Sequence, residues 1–173
     1  MDFKPYIREI SDWPVAGVSF KDITTLLENH SIFKCVIDEM IEPFSRTKID
    51  KVVAIDARGF LFAAPIAYKI GCGLSLVRKE GKLPYKTIKE SYQKEYGFDT
   101  LAIHEDSIKK GEKVLIVDDL MATGGSLVTA ATLVERLGGE VIGISCVINL
   151  PFLGGSKRLS KYKQKWLVSY DEE

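Results

Sequence analysis

Two adjacent carboxylates stand where a strongly apolar run of the sequence ends. Asp118 and Asp119 follow the run VLIV at residues 114–117, and the small-residue loop ATGGS at residues 122–126 comes almost directly after them. Such an apolar run predicts a buried strand, so this acid pair is expected at its carboxyl end. Side-by-side carboxylates repel each other and contribute little packing, which favours a functional use over a capping role in an ordinary strand-to-helix turn.

The 122–126 loop has the composition of a phosphate-binding turn. Its glycines allow a ligand to approach the backbone, and a helix predicted to begin near Ser126 or Leu127 offers unpaired N–H groups. The loop lacks the lysine of the nucleoside-triphosphatase P-loop and the three-glycine spacing of the dinucleotide fingerprint. We therefore predict that it binds the 5-phosphate of a ribose whose hydroxyls donate hydrogen bonds to the acid pair. The loop residues concerned are Ala122, Thr123, Gly124, Gly125 and Ser126.

The elements that would position this turn alternate along the chain. Apolar residues at helical spacing predict helices at residues 31–44, 60–71 and 127–137, the first with Ser31 as its N-cap. Apolar runs predict strands at residues 51–56, 73–77, 99–103, 112–119 and 141–150. This alternation predicts an α/β fold with a mainly parallel central sheet flanked by helices on both faces. Ligands of such sheets bind at the carboxyl ends of the strands.

Length and charge limit the possible organisation. The 173 residues, 46% of them apolar, predict a single domain over residues 1–173 that can bury a large core. Lys plus Arg and Asp plus Glu each number 24, so the net charge is zero and we expect no nucleic-acid partner. The basic run KRLSKYKQK at residues 157–165 is predicted to be a solvated face, as is the rest of the tail from Leu153 onward.

The cysteines and the hydropathy pattern bear on the compartment. Cys35, Cys72 and Cys146 are odd in number and far apart, which predicts small core residues in a reducing cytosol. The longest apolar stretch, at residues 60–68, is interrupted by Pro65 and too short to span a bilayer, and the N-terminal residues lack a leader pattern. We expect a cytoplasmic protein without a membrane partner.

Five segments together resemble one enzyme family. The VLIVDDLMATGGS stretch is similar to the phosphoribosyl-pyrophosphate signature of the type I phosphoribosyltransferases. PVAGVSFKDITTLL, DARGFLF, RKEGKLP and SYQKEYG occur in the order of that family, over about residues 12 to 140, and resemble its adenine-specific members. The resemblance implies transfer of the phosphoribosyl group from phosphoribosyl pyrophosphate to adenine, giving AMP and pyrophosphate in purine salvage. It also implies a mobile lid loop near residues 78–97 and a small base-binding hood near residues 1–30.

The resemblance assigns roles to further residues. The DARGF segment is the pyrophosphate loop, with Arg58, Gly59 and Phe60, and related loops often hold a strained peptide, here near Asp56 and Ala57. In the lid loop, Arg78 and Lys82 would contact pyrophosphate, Arg78 in its own or a neighbouring subunit, while Glu95 and Tyr96 would approach the reacting bond or the base. The hood residues are Ser19, Phe20 and Lys21, and Lys21 stands where family members commonly have Arg. Phe20 and Phe60 are candidates to stack on the purine.

Cofactor, assembly and alternatives complete the expectations. Mg²⁺ is expected to arrive bound to phosphoribosyl pyrophosphate, with no fixed protein ligand assigned, because it prefers phosphate oxygens and retained water. The resemblance also implies a homodimer.

Two alternative functions remain. One alternative is a phosphoribosyltransferase for another purine, such as xanthine or hypoxanthine. A second is a non-catalytic regulator that senses phosphoribosyl pyrophosphate, although the neutral charge leaves little room for a nucleic-acid-binding segment.

Overall fold

The computed structural model describes residues 1–93 and 97–172, and a seven-stranded sheet is its centre. Its strands are β3 (Lys51–Ile55), β4 (Gly73–Lys79), β5 (Thr87–Gln93), β6 (Phe98–His104), β7 (Lys113–Met121), β8 (Glu140–Asn149) and β9 (Gln164–Ser169). Five parallel strands lie in the order β4, β3, β7, β8, β9, and the antiparallel strands β6 and β5 extend the sheet beyond β4. The predicted α/β fold with a mainly parallel sheet is confirmed.

Helices cover both faces of the sheet. The helices are α1 (Thr24–Glu28), α2 (His30–Ile41), α3 (Gly59–Ile70), α4 (Gly125–Arg136) and α5 (Gly155–Arg158). One buried cluster lies under α2 and α3 and includes Val36, Phe62 and Leu115. A second cluster lies under α4 and includes Leu127 and Ile116. Neighbouring residues of β7 thus enter opposite clusters, which explains why its sequence is continuously apolar.

A small hairpin stands apart from the main sheet. Strands β1 (Arg8–Ile10) and β2 (Phe20–Asp22) pair antiparallel, with Ile10 opposite Phe20, and form a two-stranded sheet of their own. In the described part of the chain β2 pairs with no other strand, so its second edge presents backbone donors and acceptors. Because Phe20 and Lys21 belong to β2, this hairpin contains the predicted hood residues.

Two predicted boundaries were wrong. Asn29, not Ser31, caps α2, because its side chain accepts a hydrogen bond from the Ile32 N–H at 3.1 Å. Strand β7 does not end at Asp119, as predicted: it continues to Met121, paired with β8 up to Asn149, so both carboxylates lie inside the strand rather than at its carboxyl end. Pairing with a neighbouring strand, which one sequence cannot show, extends β7 past its apolar run.

Part of the predicted lid loop is a strand, and the tail is more than a solvated face. Residues 87–93 form β5, which pairs with β6 and alternates between half-buried and exposed positions. Only Ile88 and Tyr92 pack against the second cluster, which makes the apolar pattern of β5 weak. In the tail, Leu159 is fully buried and residues 164–169 form β9, because β8 offers an edge to pair with.

Candidate active site

The acid pair is almost completely removed from solvent. Asp118 and Asp119 are 8% and 5% exposed, and the Asp119 N–H donates to Asp118 Oδ1 at 2.9 Å. Burial raises the pKa of Asp118 well above its ordinary value, and the neighbouring Asp119 charge raises it further. Burial also raises the pKa of Asp119, against the opposing effect of the Arg58 guanidinium. Two buried acids of this kind are suited to groups that donate hydrogen bonds or develop positive charge.

Arg58 reaches the acid pair because α3 begins directly against β7. A Cβ atom on Gly59 would lie 2.9 Å from Asp118 Oδ1 and 3.0 Å from the Val117 carbonyl, so only glycine allows this approach. Arg58 Nε consequently lies 2.7 Å from Asp119 Oδ2. The same guanidinium lies 5.4 Å from the centre of the Phe20 ring. Arg58 thereby connects the hood hairpin with the acid pair.

The 122–126 loop forms the predicted turn at a helix N-terminus. Gly124 has φ +76°, and α4 begins at Gly125. No side chain of the described residues caps this N-terminus, which leaves its first backbone N–H groups for a ligand. The ring of Tyr92 packs on the loop, because a Cβ atom on Gly125 would lie 2.6 Å from Tyr92 Cδ2. Both glycines are therefore required, Gly124 by its left-handed φ and Gly125 by a close contact.

One cavity contains the acid pair, Arg58 and the whole 122–126 loop. Its volume is about 590 Å³, and it opens at the carboxyl ends of β3 and β7, where the fold class predicts ligands. The other lining residues are Ile55, Asp56, Ala57, Lys79, Tyr92, Asp99, Leu101 and Leu120. Lys79, Tyr92, Asp99 and Leu120 were not predicted as site residues from the sequence. Lys79 could have been predicted, because it is the last residue of β4 and ligands of such sheets bind at the carboxyl ends of the strands.

The DARGF and RKEGKLP segments meet beside this cavity. The peptide bond between Asp56 and Ala57 is cis, at the position where the resemblance implied an unusual peptide. Arg78 Nε lies 2.9 Å from Asp56 Oδ2, and its Nη1 donates to the Lys82 carbonyl at 3.3 Å. The Arg78 guanidinium is also 5.9 Å from the centre of the Phe60 ring. Glu95 and Tyr96 lie outside the described residues.

Two of the three predicted hood residues, Ser19 and Lys21, line a second cavity of about 240 Å³, whereas Phe20 is not part of its lining. Ser19 and Lys21 contribute from the hairpin, and Leu150, Phe152 and Leu153 from the segment after β8. The two cavities are neighbours along the sheet edge, because the Leu150 N–H donates at 2.9 Å to Met121, the residue before the 122–126 loop. Leu150, Phe152 and Leu153 were not predicted as site residues from the sequence. Their position directly after a predicted strand was the available signal.

The side chain of Lys21 is occupied within the hood. Its Nζ lies 2.7 Å from Glu9 Oε2 and donates to Ser19 Oγ at 2.8 Å. The ammonium also lies 4.3 Å from the centre of the Tyr170 ring. Burial and the nearby Glu9 and Asp2 charges raise the pKa of Tyr170 to about 12, which keeps the phenol neutral under its cation. Lys21 thus joins the hairpin to the end of β9.

Two features are absent from the described residues, a metal-binding cluster and a membrane-spanning helix. Within residues 1–93 and 97–172, no three His, Cys, Asp or Glu side chains are grouped so that they could hold a metal ion. In the same residues no helix has the length and apolarity needed to cross a membrane.

Comparison with known proteins places this geometry in context. Residues 23–172 match the family model of the phosphoribosyl transferase domain. The chain is 54% identical over 170 residues to an adenine phosphoribosyltransferase of Brachyspira hyodysenteriae, covering 98% of this chain and 100% of that protein. The crystal structure of adenine phosphoribosyltransferase from Thermoanaerobacter pseudethanolicus superposes with a TM-score of 0.94 at 45% identity, covering 97% and 98% of the two chains. The Saccharomyces cerevisiae enzyme, complexed with an imino-altritol bisphosphate and adenine, gives 0.91 at 36% identity, covering 96% of each chain.

Proposed function

The chain belongs to the phosphoribosyltransferase family, and we propose from this premise that it transfers the 5-phosphoribosyl group of phosphoribosyl pyrophosphate to adenine. The products are AMP and pyrophosphate, as in purine salvage. The observation that supports this function best is the single cavity shared by the buried acid pair and the uncapped helix N-terminus. The names of the relatives support adenine as the acceptor, since those reported above are adenine phosphoribosyltransferases.

In this proposal the 122–126 loop and the acid pair hold the ribose phosphate. Backbone N–H groups of residues 123–126 bind the 5-phosphate at the start of α4, with the Thr123 and Ser126 hydroxyls beside them. Asp118 and Asp119 accept hydrogen bonds from the ribose hydroxyls. The ribose must compete with Arg58, which pairs with Asp119 in this structure.

Charge is managed at both ends of the reacting bond. As the bond from C1 to the pyrophosphate oxygen breaks, pyrophosphate takes the electron pair and the sugar becomes cation-like. The adenine nitrogen then bonds to C1, and the imidazole proton of adenine passes to the pyrophosphate leaving group or to water. The acid pair stabilises the positive sugar, whereas Arg58, Arg78 and Lys82 offset the negative charge on pyrophosphate. The backbone at Gly59 and the side wall at Phe60 complete this half of the site. Mg²⁺ bound to phosphoribosyl pyrophosphate contributes further positive charge on the phosphate oxygens.

The hood is proposed to bind adenine in the second cavity. The free edge of β2 supplies a backbone donor and acceptor that distinguish adenine, with its amino donor and N1 acceptor, from hypoxanthine. Lys21 does not need to read the base itself, since Glu9 and Ser19 already engage its ammonium. We therefore propose that adenine binding does not depend on whether this position holds Lys, as here, or Arg, as the family resemblance implies for other members. Phe20, which packs edge-to-face against Trp13 with 4.4 Å between ring centres, is proposed as a wall of the base site.

Lid, assembly and compartment are parts of the same proposal. Residues 78–97 are proposed to close over the site and exclude water that would otherwise react with the cation-like sugar, with Glu95 and Tyr96 near the reacting bond or base.

We also propose a cytoplasmic homodimer, and the exposed apolar side chains Leu61, Tyr68 and Leu74 on α3 and β4 support a self-association surface. Light scattering coupled to size-exclusion chromatography measures the mass directly, and a strictly monomeric, active protein would contradict the dimer.

A substrate panel tests the proposed function. The protein is incubated with phosphoribosyl pyrophosphate, Mg²⁺ and either adenine, hypoxanthine or xanthine, and the nucleotide product is measured by chromatography. AMP should form with adenine at a rate far above that of the other nucleotides. Product with hypoxanthine or xanthine but none with adenine would overturn the substrate, and binding of phosphoribosyl pyrophosphate without any product would favour a sensor.

A further inference from the structure

The segment after β8 packs against the back of the 122–126 loop. The Gly155 N–H donates to the Ala122 carbonyl at 3.0 Å, and Arg158 Nη1 donates to the Thr123 carbonyl at 2.8 Å. A Cβ atom on Gly155 would lie 2.3 Å from the Ala122 oxygen, so the backbones approach as closely as glycine permits. The tail thus contacts two consecutive carbonyl groups of the proposed phosphate site, although the basic sequence of the tail predicted only a solvated face.

These two hydrogen bonds orient the N–H groups that follow them. Within residues 1–93 and 97–172 the cis peptide bonds are those before Pro14 and Ala57, so the peptides after Ala122 and Thr123 are trans. In a trans peptide the C=O and N–H bonds point in opposite directions across one plane. Because the tail holds both carbonyls on its own side, the N–H groups of Thr123 and Gly124 point to the opposite side.

The anchor of Arg158 is itself well fixed. Leu159, the next residue, is fully buried in the cluster under α4. The Gln164 side chain, at the start of β9, donates to the Ser156 carbonyl at 3.1 Å and so ties α5 to the sheet. The neighbouring Lys157 is exposed and lies on the same short helix. Arg158 therefore acts from a rigid support, and Lys157 offers a matched control for charge.

We propose that Arg158 is a positioning residue for the phosphate subsite: by holding the Thr123 carbonyl, its guanidinium keeps the Gly124 N–H directed at the 5-phosphate of the substrate. The inference rests on the proposed function, since it assigns a role within that phosphate site. Arg158 does not need to touch the substrate. A hydrogen bond from a charged donor is among the stronger single contacts available to a carbonyl, which suits a loop that must keep one conformation.

Steady-state kinetics of Arg158→Met, Arg158→Lys and Lys157→Met test the inference. Arg158→Met should raise the KM for phosphoribosyl pyrophosphate about threefold to tenfold, the loss expected for one solvent-exposed charged hydrogen bond, while kcat and the KM for adenine change less than about twofold. Arg158→Lys keeps a charged donor and should recover most of the affinity. Lys157→Met removes the same charge from the same helix and should leave both KM values unchanged. The Kd of AMP, measured by calorimetry, should follow the KM of phosphoribosyl pyrophosphate.

Several outcomes would overturn the inference. Equal increases in the two KM values, together with a lower Tm, would show a general structural role. Equal effects of Arg158→Met and Lys157→Met would show only long-range charge attraction, and native kinetics in Arg158→Met would show no role. In each of these cases the native protein still makes AMP. Absence of AMP formation by the native protein would instead refute the proposed function, so the two failures are distinguishable.

Discussion

At the scale of single residues, the chemistry of this protein depends on two adjacent, buried carboxylates, one of which forms an ion pair with an arginine. Burial makes ionisation of Asp118 and Asp119 unfavourable, and the 2.7 Å contact with Arg58 partly compensates Asp119. A site in this condition gains most from a partner that donates hydrogen bonds or is positively charged. The cation-like ribose of the proposed reaction is such a partner, so the same feature that costs stability favours the transition state.

Asp119→Ala should reduce kcat by on the order of 10²-fold or more, because a fixed charge near the developing cation is lost. The fold should persist, since the substitution removes a carboxylate that is costly to bury. Initial rates of AMP formation and circular dichroism measure the two effects. Asp106→Ala, which removes an exposed acid outside the cavity, is the control and should retain native rates. A well-folded Asp119→Ala protein with native kcat would show that the acid pair was misinterpreted.

The raised pKa of Asp118 predicts a pH-dependent effect of Asp118→Asn on stability. Folded Asp118 keeps its proton to a higher pH than the unfolded chain, whose value is near the ordinary 3.8. Above about pH 4 the folded state therefore binds more protons, and this contribution to stability falls as pH rises. Asn cannot ionise, so the variant does not lose this contribution. The free energy of unfolding of Asp118→Asn minus that of the native protein should therefore increase as the pH is raised from about 5 to about 8. Urea unfolding at both pH values measures the difference.

A matched substitution checks the cause of that effect. The pKa of Asp50 is lowered, chiefly by the hydrogen bond from Lys48, so Asp50 is ionised in both states throughout this pH range. Asp50→Asn should thus change stability by the same amount at both pH values. A stability difference for Asp118→Asn that stays constant with pH would refute the inferred burial effect.

At the scale of elements, the site is assembled from turns that follow parallel strands. The turn after β3 supplies Arg58, the turn after β7 supplies the 122–126 loop, and the segment after β8 supports that loop from behind. The strand partners set where each turn begins, as the extension of β7 to Met121 shows. Close backbone contacts at Gly59, Gly124 and Gly155 then fix how the turns meet.

Gly124→Ala should lower stability because of its backbone conformation and should in addition impair phosphate binding. Gly124 has φ +76° and its Cβ would lie 3.0 Å from Gly155 Cα, a backbone atom that cannot rotate away. Gly111→Ala is the control, because Gly111 has a similar φ of +81° with nothing within 4 Å of its Cβ. Both variants should lose about 1–2 kcal/mol of stability, and only Gly124→Ala should raise the KM for phosphoribosyl pyrophosphate. Equal kinetics in the two variants would contradict a close contact at the loop.

At the scale of the whole molecule, two apolar clusters on opposite faces hold one sheet rigid beneath the site. The cluster under α2 and α3 and the cluster under α4 both receive side chains from β7. Since the acid pair lies in β7 and the 122–126 loop follows it directly, the packing of this strand on both faces determines the position of the chemistry. The hood hairpin depends less on this packing and is joined to the end of β9 through Lys21 and Tyr170.

Leu115→Ala should test the contribution of β7 to the global fold. Leu115 is fully buried in the cluster under α2 and α3, so truncation leaves a cavity and should reduce the free energy of unfolding by about 2–5 kcal/mol. Val15→Ala, at a position that is 61% exposed and outside the proposed self-association surface, should cost less than about 1 kcal/mol. Chemical denaturation at neutral pH measures both. A smaller loss at Leu115 than at Val15 would contradict the described core.

The sequence by itself determined what depends on local pattern and on residue type. Continuous apolar runs specified β3, β7 and β8, helical spacing specified α2, α3 and α4, and the acid pair with its small-residue loop indicated a ribose phosphate site. These features are predictable because burial and glycine conformation act on neighbouring residues in the chain. The tertiary structure decided what depends on partners distant in sequence: the end of β7, the strands β5 and β9, the contact of Arg58 with Asp119 and that of Arg158 with Thr123. The side-chain contacts of Arg58 and Arg158 join residues 35 or more positions apart, and only the packing of the sheet and its helices brings such residues together.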